Sequence, residues 1–162
     1  MSGTLLLFAL SSLLYVPEAQ TQNTNMNPTS IVQTFISTLN WHNLDAIGSL
    51  MSDDHTFIDS HSNKVVGKEE AVRAWHSYFK MFLDYRIQVE TTMELDDTVA
   101  VFGFARGMYH LPPANYWRLP AAWKAVVANG KIKLWQVYAD TKIPFDIIAK
   151  YSAKPSETLE RV

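Results

Sequence analysis

From Tyr85 to Asp140 the apolar residues of this chain change their period. Before that stretch they recur every third or fourth position; within it they alternate with polar residues, the repeat of a strand half-buried on a sheet. The alternation predicts strands at Tyr85–Met93, Thr98–His110, Ala121–Ala128 and Lys131–Asp140. "ELDD" and "ANG" are tight turns, and the second carries the Asn-Gly pair that hairpins favour. "HLPPANYWRLP" reads as a longer, proline-bearing connection. Strands joined by such short turns pair antiparallel, so this half of the chain is a meander.

Upstream the period is helical. Ile31, Phe35, Ile36 and Leu39 make one stripe, with Thr29 or Ser30 available to cap its start. Asn43 is placed to cap a second, shorter helix that carries Leu44, Ile47, Leu50 and Met51. A short strand, His55–Asp59, then puts His55, Phe57 and Asp59 on one face. "SHSN" turns the chain, Lys64–Val66 returns, and Gly67 opens a third helix whose apolar face includes Ala71, Trp75, Tyr78 and Phe79. "PFDIIAKY" reads as a terminal helix. Helices gathered on one face of a strongly curved sheet give an α+β cone: a mostly antiparallel sheet, three covering helices, and a cavity between them.

Composition bounds the function. A chain of 162 residues makes one domain, read here as 30–150, with 20–29 as a linker and 151–162 as a polar tail. The net charge of −2 provides no basic face, and no nucleic-acid partner is expected. With no cysteine, disulfides, thiolate zinc sites and cysteine nucleophiles are excluded. The chain carries no Gly-rich phosphate loop, nucleophile elbow or HExxH, and His55, His61 and His110 lack the spacing of metal ligands. No metal and no cofactor is expected. The apolar run Leu5–Val16 is too short for a stable membrane span but has the length of a signal-peptide core. Export after cleavage near Ala19 makes the protein secreted or periplasmic; an N-terminal helix retained in the cytoplasm is the other reading.

"FISTLNWHNLDAIGSLMSDDHTFIDSHSNKVVGKEEAVRAW" and "GKIKLWQVYAD" resemble the NTF2-like superfamily, especially ketosteroid isomerases and SnoaL-like polyketide cyclases. The likeness runs from about Ile31 to Ile148 and implies the cone fold. It puts Asp59 where ketosteroid isomerases keep a general base and Phe35 where they have an oxyanion-hole tyrosine. The second oxyanion donor falls near Ala122 or Trp123. Both donors are therefore missing, and steroid isomerisation itself is not expected. The resemblance also matches Asp140 to the last-strand aspartate of SnoaL-like cyclases, with Tyr138 two residues before it. Arg106 matches the arginine of limonene epoxide hydrolases, although Met108 replaces the acid that follows it there.

Each candidate has two readings. Asp59 either bonds its own turn or faces the cavity as a base. Asp140 is a solvated strand end or a pocket acid. Arg106 is held by a structural ion pair or lies on an exposed dimer face, or it pairs with one of those two acids, since an unpaired buried arginine is too costly. His55 is a pocket polar group or a core histidine. Phe35, Trp75, Phe79, Phe104, Trp117, Trp123 and Trp135 line an aromatic cavity or fill a core. Two functions follow. One is proton transfer on a small apolar, ring-bearing molecule by Asp59 or Asp140, with Tyr138, His55 or Arg106 stabilising charge. The other is a non-catalytic binding or dimerisation module. Trp135, Lys133 and Val137 are expected on the open sheet face, where a homodimer would form.

Overall fold

A computed structural model describes residues 27–110 and 115–152. The apolar run Leu5–Val16 and nearly all of the linker and tail lie outside the described residues. Among the described residues four helices, α1 (Pro28–Asn40), α2 (Leu44–Leu50), α3 (Lys68–Met81) and α4 (Lys142–Ser152), accompany six strands. These are β1 (Met51–Ile58), β2 (Lys64–Val66), β3 (Arg86–Leu95), β4 (Thr98–Tyr109), β5 (Asn115–Ala128) and β6 (Lys131–Ala139). They form one sheet in the order β2-β1-β6-β5-β4-β3, in which only β1 and β6 run parallel. The architecture is the α+β cone, with a curved, mostly antiparallel sheet. No helix among the described residues is long and apolar enough to cross a membrane.

Local chemistry explains most boundaries. Asn27, rather than Thr29 or Ser30, caps α1: its side chain accepts from the Ser30 N–H at 2.8 Å, and Pro28 occupies the first turn, where no N–H is missed. Asn43 caps α2 by accepting from the Ala46 N–H at 3.0 Å. The β5–β6 turn has Asn129 at φ 50° and Gly130 at φ 73°, the left-handed pair that a tight hairpin demands.

The segment read as a connection is different. β5 begins at Asn115 and includes "NYWRLP". Pro120 is tolerated there because β6 stops at Ala139, opposite Ala121, so the strand needs no N–H on that side at Pro120. Trp117, Leu119, Ala121 and Trp123 keep the inward alternation without a break.

The other correction concerns β6. Val127 pairs with Ile132 and Val126 with Leu134, so Lys133 is an extra residue in the strand. One extra residue reverses every side chain beyond it. Trp135 is therefore 0% exposed, Val137 faces inward, and Tyr138 is 51% exposed on the outer face. The expectation that Trp135 and Val137 form an open face is overturned by this bulge.

β3 also carries a bulge, at Glu90, which brings the Gln88 carbonyl against Gly103 of β4. A β-carbon at Gly103 would sit 2.0 Å from that oxygen. Backbone cannot yield as a side chain can. Gly103→Ala should therefore lower stability by about 2 kcal/mol or more in urea unfolding, whereas Gly130→Ala, with only its left-handed φ to strain, should cost about 1 kcal/mol. Equal losses would show that the β3 bulge moves freely.

Candidate functional site

Between α3 and the inner face of the sheet lies a cavity of about 290 Å³. Its volume comes from small side chains in one cross-strand region: Ala105 on β4, Ala121 on β5 and Ala139 on β6, with Ala121 and Ala139 directly paired. Larger rings surround them. Trp75 and Tyr78 come from α3, Tyr85 from the approach to β3, and Trp117 and Trp123 from β5. Trp75 sits at the centre of the cluster, 5.8 Å from Tyr78 and 5.9 Å from Tyr85 between ring centroids. At the mouth stand Asp59 and Ser60 from the turn after β1, and Thr141 and Phe145 from the start of α4. Ser60 and Thr141 share a hydroxyl hydrogen bond of 3.0 Å, and the His61 ring lies 4.6 Å from Phe145.

Of the five residues proposed for chemistry, only Asp59 reaches the cavity. Its carboxylate is already engaged. Oδ1 accepts from the backbone N–H groups of His61 and Asn63 at 2.8 and 2.9 Å, and Oδ2 accepts from the Asn63 side-chain amide at 2.8 Å. Partial burial pushes the Asp59 carboxyl up, but these bonds and the neighbouring His61 together outweigh it, and the net shift is downward. The side chain bonds its own turn while bordering the cavity, so both of its readings contain part of the arrangement.

The other four lie elsewhere. Asp140 is exposed and accepts from the Lys142 N–H at 3.0 Å, at the start of α4. Tyr138 points outward, as the β6 bulge dictates. Arg106 is on the outer face of β4, where its Nη1 donates to Asp84 at 2.8 Å; Asp84 also meets Arg86 at 3.5 Å. Its partner is thus neither Asp59 nor Asp140. His55 is 0% exposed and donates from Nδ1 to the Ile132 carbonyl at 2.8 Å. Burial lowers its pKa, against the opposing pull of that bond and of Asp54, and keeps it neutral.

Among the residues proposed to line a pocket, Trp75, Trp117 and Trp123 do so. Phe35 is core, edge-on to Trp135 at 5.2 Å, and Phe79 stacks between His42 and Trp75. Phe104 is on the outer face beneath the Arg118 guanidinium, 3.3 Å from the ring centroid. Tyr85, Leu119, Thr141 and Phe145 line the cavity without having been singled out. Leu119 was concealed by Pro120; its signal was the unbroken two-residue period through "NYWRLPAAW". Among the described residues no three His, Asp or Glu side chains are placed to hold a metal ion.

The family model of the SnoaL-like domain matches residues 32–135. The chain belongs to the SnoaL-like family. Solved structures share the fold of this SnoaL-like domain. A SnoaL-like polyketide cyclase candidate from Shewanella denitrificans superposes with a TM-score of 0.68 at 11% identity, over 76% of this chain and 97% of that one. An NTF2-like protein from Burkholderia thailandensis gives 0.66 at 17% identity, over 75% and 97%. A protein of ketosteroid isomerase-like fold from Catenulispora acidiphila, in complex with trimethylamine, gives 0.65 at 18% identity, over 70% and 87%. No curated protein sequence matches the chain.

The Asp59 turn makes a direct prediction. Asp59→Ala removes the acceptor of three bonds and should cost about 1 kcal/mol, the low end for such bonds because the turn is open to water. Asp59→Asn keeps both backbone bonds and should cost a few tenths. Because the folded pKa lies below the ordinary 3.8, the contribution is complete above that value and fades as pH falls through the folded pKa. Carboxyl NMR that finds Asp59 titrating at or above 3.8 would overturn this account.

Proposed function

We propose that this SnoaL-like domain is a receptacle for a small, apolar, ring-bearing molecule, and that it binds its ligand without transforming it. The observation that carries this reading is the make-up of the cavity: a wall of aromatic rings and alanines and, among the described lining residues, one carboxylate at the mouth and no lysine or arginine. A volume of 290 Å³ falls at the lower edge of the roughly 300–1,000 Å³ common for ligand pockets, which suits one to three rings. A general base works best with a pKa raised toward the working pH. Asp59, held low by its turn, is a weak one.

Proton transfer by Asp59 is the second reading, favoured by the place of its carboxylate on the cavity rim. Deuterium uptake by a cyclic ketone in heavy water, lost in Asp59→Asn, would establish it over the binding reading.

Charge should sort the ligands. With Asp59 ionised and no cation among the described lining residues, neutral molecules enter and anions are disfavoured. In calorimetric titrations, naphthalene should bind at one site and 2-naphthoate several-fold more weakly. Asp59→Asn should narrow that gap, and Ala121→Phe, which fills the cavity, should abolish naphthalene binding. Naphthalene binding that survives Ala121→Phe would overturn the receptacle.

We also propose a homodimer through the outer sheet face, supported by Phe102, Tyr116 and Tyr138, which are 43%, 55% and 51% exposed there. Sedimentation should find a dimer at micromolar concentration that Tyr138→Glu weakens; a monomer throughout would count against it.

A further inference from the structure

The wall of the cavity is apolar except at two places. One is the mouth. The other is the pair of lining tyrosines, Tyr78 and Tyr85, whose rings meet edge to face at 5.1 Å. No described residue hydrogen-bonds either hydroxyl. They differ from the other unpaired polar groups of the interior. His55 Nε2 and the indole nitrogens of Trp117, Trp123 and Trp135 are sealed inside packed atoms. Neither tyrosine hydroxyl is sealed in this way, and both side chains border the open volume.

From this we propose that Tyr78 and Tyr85 form the polar anchor of the ligand site, selecting a ring molecule that carries an uncharged oxygen, a hydroxyl or a carbonyl. A buried hydroxyl without a partner is costly, while one that finds an acceptor recovers that cost and adds orientation. The two sit on different elements, the end of α3 and the approach to β3, with their rings 5.1 Å apart. Burial raises the pKa of both phenols, and at Tyr85 the neighbouring Tyr78 adds to the rise. Both therefore stay protonated donors across the working pH range. An anionic oxygen would bond the hydroxyls more strongly but loses more on leaving water, and no cation among the described lining residues offsets that loss.

This inference rests on the receptacle reading, and the test separates the two. Naphthalene and 2-naphthol have the same rings and differ by one hydroxyl. Calorimetry on the full chain should show 2-naphthol binding about tenfold more tightly, the worth of one or two net hydrogen bonds. The Tyr78→Phe/Tyr85→Phe double variant keeps both rings in the aromatic cluster. It should bring the affinities of that variant for the two compounds within about twofold of each other. Equal affinities in the native protein, or a tenfold preference that persists in the double variant, would overturn the anchor and leave the receptacle standing. Failure of the native protein to bind either compound would overturn both.

Discussion

His55 Nδ1 donates to the Ile132 carbonyl where β1 and β6 lose register, and much of the inner surface follows from that junction. Met51 pairs with Ile132 and Thr56 with Leu134, so four residues of β1 face a single extra residue, Lys133, on β6. An irregular junction of this kind leaves ladder groups without strand partners, and burying one unpaired costs about 1–3 kcal/mol. The imidazole supplies the missing donor from the side chain. The interruption on β6 reverses its parity, which turns Trp135, Val137 and Ala139 inward. Without it Tyr138 would face the cavity and Ala139 would not. A histidine that resembles a catalytic group in sequence thus acts as a strut, and the shape of the cavity depends on it.

The cavity persists because its rim is well packed. A buried aromatic side chain removes about 150–250 Å² from water, worth roughly 4–6 kcal/mol at 25 cal/mol per Å². Leaving an indole N–H unpaired costs roughly 1–3 kcal/mol. Burial wins at Trp117, Trp123 and Trp135, whose ring nitrogens have no partner among the described residues. Trp117 lies flat against Gly107 of β4, where a β-carbon would come within 2.8 Å of the indole. A ring covering a cross-strand glycine protects the backbone there and fixes the tryptophan in one orientation. The alanines of the central strands are then kept from collapsing by rigid rings on both sides.

How much of this was legible depended on the range of the cause. Periods of two and three to four set the helices and strands, because each is local to one segment. Asn43 and the Asn-Gly turn were readable for the same reason. The facing of β6 was not, since one extra residue at Lys133 is visible only through its pairing with β1 and β5. That single residue accounts for the reassigned Trp135, Val137 and Tyr138. Pro120 concealed the start of β5 by composition, although it stands where one neighbour has already ended. The sequence around Arg106 implies a need for a partner, but Asp84 lies between α3 and β3, in a segment without regular period to place it.

The acids show how position in the chain and role in the fold come apart. Asp59 and Asp140 resemble catalytic acids in sequence, yet each is bonded to nearby backbone N–H groups, those of His61 and Asn63 and that of Lys142. The two segments so held are the turn after β1 and the entry to α4, the segments joined by the Ser60–Thr141 bond. Both acids therefore brace the entrance to the cavity. Hydrogen bonds that favour the charged form of Asp59 make it a poorer base as they make the turn more secure. One carboxylate cannot fully serve both ends at neutral pH. In this chain the bonds of Asp59 are made to the frame.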